Sequence, residues 1–192
     1  MDAEMILHPA SRSRRLGIPG MSFGERAAAA FSHRLDDDYH WFRSLAPGCT
    51  DPIDVIIVGP GGTFAITLGG QRGRFTHRNG HWYRWNPGTD SWVPWDAASI
   101  TTARLAGRRL SLYLERAGLP ATVDPLLMPS EQMEVVPHPG EPIGLMVERS
   151  HDRVATLVSA GNRLNRGQVD RIVALLDPRQ PLPRLVQATP NG

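Results

Sequence analysis

The apolar positions of this chain change period several times, and each change marks an element. Residues 53–73 read IDVIIVGPGGTFAITLGGQRG, two apolar runs (53–58 and 63–68) around Gly59-Pro60-Gly61-Gly62. Such runs predict two strands joined by a turn, because glycine accepts φ > 0 and proline fixes its own φ. Upstream, Ser22 precedes Phe23, Gly24 and Glu25, an S-x-x-E pattern that predicts a capping box with Glu25 at the third helical position. Phe31 and Leu35 continue one face of that helix, and Asp36, Asp37 and Asp38 oppose its dipole, so it should stop near them. The three acids read as a solvated loop, and residues 39–45 as the first strand.

Beyond the central hairpin, residues 72–78 and 81–85 flank Asn79-Gly80, a two-residue hairpin signal. That turn sets Arg78 opposite His81 and His77 opposite Trp82, so the two histidines point to opposite faces and make no metal pair. Residues 86–90 form a second turn into the strand 91–95, and four of the five tryptophans fall between positions 82 and 95. Cross-strand packing accounts for this ladder; base stacking is the functional alternative. Asp96 is the expected N-cap of a helix running to about Arg116, with Gly118 and Pro120 ending it. Ile100, Ala103, Leu110, Tyr113 and Leu114 form its apolar stripe, and Arg104 and Arg108 lie one turn apart on another face. Strands at 121–128, 133–136 and 143–147 follow, then helices capped by Ser150 and Asn165. Residues 1–20, with Arg12, Arg14 and Arg15, read as a flexible arm, 21–177 as one domain, and 178–192 as a proline-rich tail.

Composition narrows the chemistry. The 192 residues carry a formal charge of +2, and all 21 basic residues are arginine. A mechanism that needs a lysine ammonium is therefore excluded, since arginine keeps its proton and differs in shape. The single cysteine, Cys49, excludes an intrachain disulfide and a cysteine-rich zinc site, and it reads as a structural thiol. Residues 1–20 hold no signal-peptide core and no run of 18 apolar residues occurs, so a cytoplasmic protein without a membrane partner is expected.

The order helix, three strands, hairpin, basic helix, strands, helix is that of an α/β fold with a central mixed sheet flanked by helices. The Gly24-Glu25 helix start, Ile53-Asp54, Gly59-Pro60, the GTFAI of residues 62–66, Gly73, Trp82 and the following helix together resemble the nuclease-related domain family. The resemblance covers residues 22–176 and implies a restriction-endonuclease-like fold. In active members an Asp on one strand and a Glu on the next hold a divalent cation, and a Lys two residues later helps to activate water. Carboxylates suit a hard cation, which lowers the pKa of the water and stabilises charge on the phosphorus.

Residue by residue, the resemblance implies Glu25 as the helical acid and Asp54 as the first metal ligand. The Glu position falls on Thr67 and the Lys position on Gly69, so both residues are missing. No acid occurs between Asp54 and Asp90 to replace them. The expectation is a catalytically degenerate domain with no cofactor, binding DNA, RNA or a protein partner through the former substrate cleft. Arg72, Arg74, Arg104 and Arg108 are the expected basic edge. Two alternatives stay open: a nuclease with a site rebuilt from Glu25 and Asp54 around Mg²⁺ or Mn²⁺, and a structural module acting through the tryptophan-rich hairpins.

Overall fold

The computed structural model describes residues 4–8, 23–48, 51–136 and 145–177. The chain is a mixed α/β protein. Its central sheet holds six strands in the order β1-β2-β3-β4-β8-β10, where β1 is Ile6–His8, β2 His40–Leu45, β3 Ile53–Gly59, β4 Gly62–Leu68, β8 Val123–Met128 and β10 Met146–Val147. Strands β2, β3 and β4 form an antiparallel meander, while β1 joins β2, β8 joins β4 and β10 joins β8 in parallel.

Both faces of this sheet are covered. Helix α1 (Phe23–Ser32) and helix α3 (His151–Ser159) pack Ala27, Phe31, Val154 and Val158 against Val55, Ile57, Phe64 and Ile66. On the other face, helix α2 (Ala98–Arg116) and helix α4 (Arg166–Leu176) bring Leu110, Leu114, Val169 and Ile172 onto Ile56, Val58 and Ala65. Alternate residues of one strand thus enter two cores, which is why β3 and β4 read as continuous apolar runs rather than alternating ones.

A second sheet, ordered β7-β6-β5-β9, consists of β5 (Gly73–Arg78), β6 (His81–Asn86), β7 (Ser91–Pro94) and β9 (Met133–Val136). A third core of Phe75, Trp82, Ile100, Ala103, Leu127 and Met133 joins it to the first half of α2 and to β8. Asn79 and Gly80 both adopt left-handed backbone, φ 49° and 75°, and the register pairs His77 with Trp82 and Arg78 with His81 as the turn requires.

Several expected boundaries move. Helix α1 ends at Ser32, before the acids; Asp36 Oδ1 instead accepts from the Asp38 N–H at 3.2 Å in an exposed turn. The N-cap of α2 is Ala97, at φ 56°, and Asp96 Oδ1 accepts from the Ala98 N–H at 3.2 Å, one residue early. Ser150 and Asn165 cap α3 and α4 as expected, the latter in a full capping box with Gln168. The aperiodic N-terminal stretch contributes a strand, since Ile6–His8 borrows its register from β2 and not from a pattern of its own. Ser22, Cys49, Arg12, Arg14, Arg15, the turn at 137–142 and the tail 178–192 lie outside the described residues.

Candidate functional site

The ladder between β3 and β4 ends with Val55 opposite Ile66, and Asp54 and Thr67 are the next residue outward on each strand. Asp54 is half-buried, and its Oδ2 accepts from the Leu68 N–H at 2.9 Å. The carboxylate therefore closes the end of the ladder, where a backbone donor is available to a short acidic side chain. Side-chain alternation breaks at this point. Val55 enters the core beneath α1, whereas Ile53 and its partner Leu45 turn to the opposite core, and Ser44 beside them has φ 50°.

Helix α1 begins above the same end. A Cβ on Gly24 would lie 3.3 Å from Arg43 Nε of β2 and 3.4 Å from Leu68 Cδ1 of β4. Strand β3 runs between those two strands, so the first turn of α1 overlies the Asp54 end of the sheet. Glu25 Oε1 sits 3.6 Å from Arg43 Nη1, in a pair open to solvent. Glu25 and Asp54 thus share one end of the fold, each engaged by a protein donor. Among the described residues no group of three His, Cys, Asp or Glu side chains is arranged to hold a metal ion.

Position 69 differs more sharply from the family pattern. Gly69 adopts φ 97°, with its N–H donating to the Met128 carbonyl at 2.9 Å. A Cβ there meets nothing within 4 Å, but an L-residue is strained at this φ. The backbone has already left strand geometry at Gly69.

The four arginines are divided between two elements. Arg72 and Arg74 are exposed at the start of the second sheet, and Arg74 Nε is held by Glu134 Oε2 at 3.0 Å. Arg104 and Arg108 lie on the exposed side of α2, whose other side buries Ala103, Ala106, Gly107 and Leu110. Phe75 and Ala103 belong to the same core, so Arg74 and Arg104 are each one residue from it. Arg109, between the helix faces, pairs with Asp51 at 3.2 Å. Glu134 was not legible as part of this edge, because parallel pairing of β5 with β9 is what sets it beside Arg74.

The opposite end of the hairpin is closed by packing. Pro60 O accepts from the Arg163 and Leu164 N–H groups at 2.8 and 3.0 Å, and a Cβ on Gly61 would fall 1.8 Å from the Val158 carbonyl oxygen. Arg163 Nη2 reaches Asp124 Oδ2 at 2.7 Å. The Gly61 N–H donates to the Tyr39 hydroxyl at 3.3 Å, and burial raises the pKa of that phenol.

Near this end lies a buried polar chain that the sequence did not announce. His8 Nδ1 meets Asp177 Oδ2 at 3.1 Å, His8 Nε2 meets His40 Nδ1 at 3.1 Å, and the His8 ring stacks on Phe42. Burial, and then the neighbouring His8, lower the pKa of His40, while Asp170 and Asp38 act in the opposite sense. The chain ties the first strand, the central meander and the end of α4 together.

No protein-family model, curated protein or solved structure matches this chain. No helix among the described residues is long and apolar enough to cross a membrane.

Proposed function

We propose that the chain is a catalytically degenerate nuclease-related domain that binds nucleic acid or a protein partner through the former substrate cleft. The observation that carries this reading is the end of the central hairpin. There Asp54, one residue past the last ladder pair, takes the Leu68 N–H, and the backbone at Gly69 has the left-handed φ of 97°. A hairpin that keeps Asp54 on one strand and has Thr67 on the next, where the resemblance implies a Glu, retains the frame of a carboxylate metal site with half of its negative charge. A hard divalent cation wants several oxygen ligands, and the lysine that would assist water is absent from the whole chain. The meander flanked by α1 and α2 supports the restriction-endonuclease-like reading of the α/β fold.

The basic edge consists of Arg104 and Arg108, with Arg72 beside the ion-paired Arg74. Binding to phosphate through Arg104 and Arg108 makes affinity fall with salt, and replacing both with alanine lowers the log–log slope by about 2. Duplex and single-stranded DNA titrated against the full chain at two salt concentrations test this. Salt-independent or absent binding leaves only the protein-partner half.

A second reading, a nuclease rebuilt on Glu25 and Asp54 around Mg²⁺ or Mn²⁺, draws support from the first turn of α1 overlying the Asp54 end of the sheet. Plasmid cleavage that requires the metal and disappears in Asp54→Ala would replace the first reading with this one.

A further inference from the structure

Among the described residues, the first strand of the central sheet is held by few contacts. Strand β1 is a three-residue edge strand whose ladder runs only to β2. The Met5 N–H donates to the Leu35 carbonyl at 3.1 Å and the Ile6 N–H to the Tyr39 carbonyl at 2.9 Å. Ile6 and Leu7 are exposed, and Met5 enters the core shared with α1. His8 packs its ring on Phe42, with ring centres 4.1 Å apart. It is buried there between Asp177, at the C-terminal end of α4, and His40 of β2. The attachment of β1 to α4 is thus a chain of three titratable side chains.

The two 3.1 Å contacts of that chain tolerate one added proton but not two. With both rings neutral, His8 Nδ1–H donates to the Asp177 carboxylate, and His8 Nε2 accepts from His40 Nδ1–H. With one proton added, an imidazolium at His8 donates from Nδ1 to Asp177 and from Nε2 to His40 Nδ1. Every bond is kept, and the carboxylate gains a counter-ion. A second proton, on His40, sets two N–H groups head to head between adjacent cations, and the bond between the rings is lost. Burial, and then His8, lower the pKa of His40 against the opposite pull of Asp170 on α4 and Asp38 before β2. The other charges on these elements are engaged elsewhere or in solvent. Glu4, Arg166 and Arg171 are exposed, Arg43 of β2 pairs with Glu25, and Asp54 of β3 takes the Leu68 N–H.

We propose that the Asp177–His8–His40 chain is an acid-opened latch, which holds β1 against β2 and the end of α4 until the second proton enters and then releases β1. The other five strands keep their ladders, because β1 is at the edge and pairs with β2 alone. A short edge strand with few buried contacts belongs to the low end of local opening free energies. Its release bares the backbone edge of β2. Parted from His8 and opened to water, His40 titrates like an ordinary histidine, near pH 6.5. Opening therefore takes up a proton that the closed pair refuses. The opening constant rises by up to about tenfold for each pH unit below that value, until the lower, closed pKa of His40 is reached.

Amide hydrogen exchange on the full chain, expressed as protection factors at pH 7.5 and 5.5, tests this. The Met5 and Ile6 amides should lose about tenfold in protection at the lower pH, while the amides of β3 and β4 stay far more protected. In His40→Gln, which cannot titrate, the Met5 and Ile6 protection should be the same at both values. Met5 and Ile6 amides as well protected as those of β3 and β4 at pH 5.5 would overturn the proposal, since β1 would then open only with the whole fold. So would an unchanged pH response in His40→Gln. Ring resonances of His40 in the native chain supply a readout that needs no variant. They should titrate together with the loss of Met5 and Ile6 protection, and a midpoint apart from it sinks the latch. None of these outcomes depends on the cleft around Asp54.

Discussion

The central hairpin β3–β4 and the outer hairpin β5–β6 are both antiparallel, glycine-turned ribbons, yet they do opposite things with their side chains. Strands β3 and β4 bury both faces, and Val55, Ile56, Ile57, Val58, Phe64, Ala65 and Ile66 are all closed to solvent. In the outer sheet Phe75, Trp82 and Met133 enter a core on one side, while Tyr83, Trp85 and Trp92 remain half open on the other. A ribbon covered on both faces has no side chain left for a ligand except at its ends. Chemistry there depends on what sits at Asp54 and Thr67. A ribbon covered on one face keeps a whole surface for recognition, and that is where the aromatic rings collect. The acid at the end of the buried ribbon and the open aromatic surface therefore belong to different parts of the fold.

The largest expected effect separates the two ribbons by stability. Phe64→Ala, in the covered ribbon, should cost about 3–5 kcal/mol in urea unfolding. Trp85→Ala, on the open face, should cost much less, since the Trp85 ring is only half-buried, edge to face with Trp92. Comparable losses would mean that the outer face is packed as a core, and the contrast fails.

Next comes the end of the central hairpin. Asp54→Ala removes the acceptor of the Leu68 N–H and should destabilise by about 1–3 kcal/mol, with Asp54→Asn closer to wild type because an amide oxygen still accepts. Equal stability of all three would show that the carboxylate is not held as a structural acceptor. Introducing the acid and the ammonium of the nuclease-related pattern by Thr67→Glu with Gly69→Lys should not create a nuclease. The lysine would be forced to the left-handed backbone of Gly69, at a cost of about 1–2 kcal/mol. Metal-dependent cleavage by that double variant would show the strand end to be remouldable.

Acid exposes a third difference, through the buried His8–His40–Asp177 chain. The pKa of His40 is lowered in the folded protein, so the unfolded chain binds the proton more readily. The stability that this site contributes is complete above the unfolded histidine pKa of about 6.5 and is lost as pH falls from there through the lower, folded value. Melting temperature followed through that window should drop on acidification, and His40→Gln should flatten the dependence. An identical pH profile in the variant would remove His40 from the account.

The smallest effect is expected on the exposed side of α2. Arg104→Ala with Arg108→Ala should change stability by within about 0.5 kcal/mol, as surface positions do, while altering salt-dependent DNA affinity. A large stability loss would make those arginines part of the scaffold.

Much of this contrast was legible before the fold was known. The doubly buried ribbon showed itself as two unbroken apolar runs, and the outer hairpin as Asn79-Gly80 between aromatic-rich segments, because turn chemistry and side-chain period are local properties. Ser150 and Asn165 announced their helices for the same reason, since a cap bonds to residues three positions away. The shift from Asp96 to Ala97 shows the limit of that signal. Asp96 still bonds the helix start, but the left-handed turn at Ala97 sets the cap one residue on.

The sequence by itself determined where most strands, turns and helices fall, and that the chain holds no lysine, and no acid between Asp54 and Asp90. Those are matters of residue type and short-range spacing. Only the tertiary structure decided that Ile6–His8 completes the central sheet, that Glu134 pairs with Arg74, and that His8 meets Asp177 across 169 positions of chain. It also decided that Asp54 bonds the Leu68 amide and that Gly69 leaves the strand. Such partners are chosen when two layers of helices close over one sheet, and a buried donor or acceptor must then find whatever group that packing brings within reach.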